Sequence, residues 1–90
     1  MAQNTQITAS LDWVEVTDAD IQSITIQNKG GNGLEITATS GDAPDIDAGS
    51  ISLDAGQIII NEFLSDLFAG VAGPVRVFVR GNGPVFVSHA

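Results

Sequence analysis

Pro74-Val-Arg-Val-Phe-Val-Arg-Gly-Asn-Gly-Pro-Val-Phe-Val-Ser-His89 sets two runs of β-branched and aromatic residues around a Gly81-Asn82-Gly83 break. That pattern predicts a β-hairpin with a tight glycine turn. Side chains alternate faces along a strand, so Val75, Val77 and Val79 share one face and Arg76, Phe78 and Arg80 the other. The chain holds three cationic residues, Lys29, Arg76 and Arg80, and this one strand carries two of them. The valine face predicts a core. The opposite face has two readings: a solvent-facing strand with Phe78 on a lesser second core, or a docking row. Arginine and aromatic residues are enriched at interface centres, which is the ground for the docking row and makes it the candidate site of protein interaction.

Outward from this stretch, the same period of two recurs. Leu11 to Thr17 reads as a strand with Trp13 as its bulky core anchor, since a tryptophan buries about 150–250 Å². Ile21 to Asn28 and Leu34 to Thr39 flank Lys29-Gly-Gly-Asn-Gly33 and predict a second hairpin with a looser loop. Ser40 to Gly49 is turn-rich and acidic, a surface loop. Ile51-Ser-Leu53 and Gln57-Ile-Ile-Ile60 are short apolar strands around Asp54-Ala-Gly56. From Asn61 the period changes: Phe63, Leu64, Leu67 and Phe68 suit about two turns of helix, with Asn61 as N-cap and Gly70 as stop. Short strands at this spacing predict a mainly β protein, a small antiparallel sandwich or barrel of about six to eight strands with one short helix near residues 61–69. Residues 1–10 form a polar N-terminal arm or an edge strand that orders on a neighbour, and residues 11–90 a single β-domain.

Composition narrows the function. Ninety residues make one domain that buries roughly 60–65% of its unfolded surface. The absence of cysteine excludes disulfides and thiolate metal sites, and suits a reducing cytoplasm. The opening Met-Ala-Gln-Asn-Thr-Gln has no basic n-region or apolar h-region, so no signal peptide is expected. Apolar runs such as Ile58-Ile-Ile60 fall far short of a membrane span. Eleven acidic residues against three basic ones leave a net charge of −8, which argues against nucleic-acid and anionic-membrane partners, since both need clustered cations.

No catalytic motif is present. His89 is the one histidine, and its neighbour Ser88 points to the opposite face of a strand, so they form no nucleophile–base pair. The chain contains no Gly-x-Ser-x-Gly elbow, phosphate-binding loop or dinucleotide fingerprint. A non-enzyme without cofactors is expected. Asp42, Asp45 and Asp47, with Asp54 beyond them, are the candidate metal ligands, although their spacing is not that of an EF-hand.

Trp13-Val, Ser23-Ile-Thr-Ile-Gln-Asn28, Leu34 to Thr39, Ala43-Pro44, Gly49, Leu53, Gly56-Gln-Ile58, Leu67-Phe-Ala-Gly70 and Val75 to Arg80 follow one another in order. This succession resembles the small virion proteins of tailed bacteriophages that decorate or cement a capsid. The resemblance implies a β-sandwich or barrel displayed in many copies on the capsid surface of a virion and made in the cytoplasm of the host bacterium. Its partners would be the major capsid protein, copies of itself, or both, giving an oligomer or a lattice. Arg76, Phe78 and Arg80 are the expected docking residues, and the arm around Ile7 the expected segment for strand addition to a neighbour. A tail, neck or fibre-associated virion subunit, or a small calcium- or carbohydrate-binding β-module, are the alternatives.

Overall fold

The alternating valines and isoleucines form strands that stack as two sheets. The computed structural model describes residues 3–90. In chain order they form β1 (Gln3–Ala9), β2 (Val14–Glu15), β3 (Ser23–Asn28), β4 (Leu34–Thr39), β5 (Ile51–Leu53), β6 (Ile58–Phe63), α1 (Leu64–Leu67), β7 (Arg76–Gly81) and β8 (Gly83–His89). One sheet has the order β1-β8-β3-β6 and the other β2-β7-β4-β5, and every pairing is antiparallel. This is the small β-sandwich with one short helix expected from the sequence.

The core lies between the sheets. Ile24, Ile26, Val85 and Val87 come from the first sheet, and Leu34, Ile36, Val77 and Val79 from the second. Each is 2% exposed or less. Burying such a side chain contributes about 1.5–3 kcal/mol, so these two facing rows dominate the stability. Leu64 from α1, with Phe68 just after it, adds to the same core.

The two expected hairpins do not form. β7 and β8 lie in opposite sheets, as do β3 and β4. β7 pairs with β2 and β4, whereas β8 pairs with β1 and β3. Gly81-Asn82-Gly83 therefore arches over the sandwich edge instead of folding one strand onto the next. The physical reason is in the valines. A hairpin would set Val77 and Val79 beside Val85 and Val87 on one sheet face, still in need of a cover. The arch turns the two rows toward each other, so each covers the other.

The two arches are stacked, and this is where glycine is required. A Cβ on Gly81 would stand 3.0 Å from the Gly33 carbonyl oxygen, and one on Gly83 would stand 3.2 Å from the Cα of Gly30. Gly83 also adopts φ 114°, which other residues rarely reach. Asn28, 2% exposed, fixes the lower arch. Its Nδ2 donates to the carbonyls of Asn32 (2.7 Å) and Leu53 (3.1 Å), and its Oδ1 accepts from Gly30 N (3.0 Å).

The helix also differs from expectation. It is one turn, Leu64–Leu67, and Phe63 rather than Asn61 sits at its N-cap. Asn61 belongs to β6, at φ 45°, where Ile60 and Asn61 together oppose the single residue Thr25. The Asn61 N–H donates to Thr25 Oγ1 at 2.9 Å. Pairing with β3 thus claims the residues that local period assigned to a first helical turn.

Candidate interaction surface

On the outer face of β2-β7-β4-β5, Arg76, Phe78 and Arg80 face Thr39, Thr37 and Glu35 across the ladder. Arg76 donates from Nε to Asp20 Oδ1 at 2.8 Å and from Nη1 to Glu15 Oε2 at 2.9 Å. Arg80 donates from Nε to Glu35 Oε2 at 2.9 Å, and its guanidinium lies 4.2 Å above the Trp13 ring. The Arg80 hydrogen bond holds the Glu35 carboxyl below its ordinary value, helped by the Ser50 hydroxyl. The same pairings raise both guanidinium groups, Arg76 through Asp20 and then Glu15, Arg80 through Glu35.

The acidic loop from Ser40 to Ser50 is fastened across this face. Trp13 Nε1 donates to the Asp45 carbonyl at 2.9 Å, and Thr37 Oγ1 donates to the Gly49 carbonyl at 2.8 Å. Arg80 Nη1 donates to the Ile46 carbonyl, and Ser50 Oγ donates to Glu35 Oε1. Phe78 is 5% exposed and lies outside the main core cluster. The expectation of an exposed cation–aromatic–cation row is therefore corrected. Phe78 sits in a lesser core, as in the first of the two readings, and both arginines are engaged within the chain. Trp13 is corrected too: it stays half-buried on this outer face, where it holds the loop and Arg80, and takes no part in the core between the sheets.

The acidic loop brings Asp42, Asp45 and Asp47 near one another in sequence only. No group of three or more carboxylate, imidazole or thiol side chains converges among the described residues. A cleft of about 550 Å³ lies between this loop and the segment after α1, with Pro44, Leu67, Phe68 and Val71 in its wall. His89 points inward beside Asp18, with Nε2 3.5 Å from Oδ1, while Ser88 points outward.

The outer face of β1-β8-β3-β6 is chemically different. β1 presents Asn4, Gln6 and Thr8 there, opposite Ser88, Phe86 and Pro84 of β8. β3 adds Ser23, Thr25 and Gln27, and the β6 edge adds Ile58, Ile60 and Phe63. Gln6, Phe86, Gln27 and Ile58 form one straight row across all four strands. None of these outward side chains carries a charge, in a chain of net charge −8. Ile58, Ile60 and Phe63 are 46%, 65% and 56% exposed, so this face ends in an open apolar strip. No protein-family model, no curated protein and no solved structure matches this chain.

The surface must therefore be read from its own chemistry. Ile7 points inward and packs against the core, not toward a neighbour. The strand that carries it is bound to β8 on one side and ends the sheet on the other. Sequence reasoning missed the uncharged face although a signal was present. Every second residue of β1, β3 and β8 is a neutral polar, proline or aromatic residue amid an acidic composition. Recognising one continuous face needed the strand order.

Proposed function

We propose that this protein is a non-enzymatic structural protein of a tailed-bacteriophage virion, which decorates and stabilises the capsid by binding its outer surface. The observation that carries the docking part is the uncharged outer face of β1-β8-β3-β6 with its exposed Ile58, Ile60 and Phe63. Carboxylates left on a contact face resist desolvation and repel one another across a lattice. The outward rows of β1, β8 and β3 carry no acid, which removes that cost there while the acidic remainder of the surface stays highly solvated. The virion assignment itself rests on the resemblance running from Trp13 to Arg80. A protein that binds the assembled shell but not its dissociated subunits stabilises the shell by mass action.

Co-sedimentation with empty shells, assembled from the major capsid protein of the same genome, tests the reading. Pelleting with the shells is expected; a protein left wholly in the supernatant defeats it. Ile60→Asp places a charge in the apolar strip. It is expected to weaken shell binding at least about fivefold, the cost of a moderate hot spot, while Tm stays within a few degrees. Binding found instead at the tail or neck by particle imaging would move the protein within the virion.

A further inference from the structure

The sandwich has four edge strands: β1 and β6 in one sheet, β2 and β5 in the other. Three of them are blunted against pairing. β2 has two residues and β5 has three, while β6 is broken by the bulge at Asn61 and carries the exposed Glu62. β1 has no such device. It runs seven residues in unbroken register with β8, without proline, glycine, charge or bulge. A long, regular, neutral edge is the kind that other proteins protect, because its free N–H and C=O groups are a template for another strand.

From this contrast we infer that β1 pairs antiparallel with β1 of a second copy of this chain. A two-fold axis near Gln6, the middle of the strand, would join two four-stranded sheets into one eight-stranded sheet. The occupant is argued from the side chains. Asn4, Gln6 and Thr8 each donate and accept hydrogen bonds, so the row is complementary to itself. An apolar strand would offer those side chains no hydrogen bond, and a basic strand would find no carboxylate on β1. The charge agrees: two chains of net charge −8 can meet along an edge that carries no acid. Pairing also joins the two uncharged outer faces side by side. The inference does not depend on what that widened face binds.

The test is sedimentation of the full chain over a range of concentrations, paired with hydrogen exchange. The wild type is expected to dimerise, with amide protection across Gln3–Ala9 rising with protein concentration. Gln6→Glu and Gln6→Lys each place like charges opposite one another and are expected to raise Kd about fivefold. An equimolar mixture of the two variants is expected to regain dimer, because the charges are then opposite. The circular dichroism and Tm of each variant report whether its monomer is intact. A wild type that stays monomeric, a dimer indifferent to both charges, or β1 protection that appears only when shells are added would each overturn the inference. Shell binding enters none of the dimer readouts, so the two proposals fail separately.

Discussion

Glu35 shows how a few side chains settle what the outer face of β2-β7-β4-β5 does. Its carboxylate takes Arg80 and Ser50 at once, and the Arg80 contact lowers it below the ordinary 4.5. A depressed native value means that the stabilisation is complete above pH 4.5 and fades as pH falls through the lower native value. Glu35→Gln is therefore expected to melt roughly 2–4 °C below wild type near neutrality, with the gap closing in acid. The magnitude is modest because the side chain is 42% exposed and screened by water. A gap that is constant or widens on acidification would contradict the pairing. At the arches the constraint is steric. Gly81→Ala sets a methyl 3.0 Å from the Gly33 carbonyl at φ 152° and is expected to cost about 1–3 kcal/mol in urea unfolding. Little of this was legible beforehand: a glycine in a turn pattern looks the same whether it serves a hairpin or an arch.

Among the elements, the loop from Ser40 to Ser50 gains most from tertiary contact. Composition marked it as a surface loop, but not as one tied down at Trp13, Thr37 and Arg80. Trp13→Ala removes an indole hydrogen bond and a cation–π contact together. Limited proteolysis within the loop is expected to speed up on the order of tenfold, with the sheet amides still protected. Cleavage at the wild-type rate would mean that Trp13 does not hold the loop. The same local logic explains the shortened helix. Phe63, Leu64, Leu67 and Phe68 do show a helical period, but Leu64 and Phe68 are buried in the core, Leu67 packs against its edge, and Phe63 is 56% exposed on β6. Periodicity reported apolar spacing and could not report that β3 was waiting to pair with Ile58–Phe63.

For the whole molecule, burial and exposure divide between the two faces of one sheet. Ile26 and Ile60 lie on neighbouring strands of the same sheet, yet one is fully buried and the other 65% exposed. Ile26→Ala is expected to cost about 2–5 kcal/mol and lower Tm by roughly 10–40 °C. Ile60→Ala should leave Tm nearly unchanged; equal losses at both sites would mean that the sheet order is wrong. By itself the sequence determined the β class, most strand positions, and which residues point inward, because a period of two is local and hydrophobicity selects the buried face. It also determined that this acidic chain has few cations to offer a partner. Only the tertiary structure decided which strands are neighbours, because pairing is made between residues far apart, and a glycine arch and a glycine hairpin read alike. That one choice turned the Val77–Val79 and Val85–Val87 rows to face each other. It also tied the chain's own loop to Thr37 and Arg80, paired Arg76 with Asp20 and Glu15, and left the uncharged face and the β1 edge open.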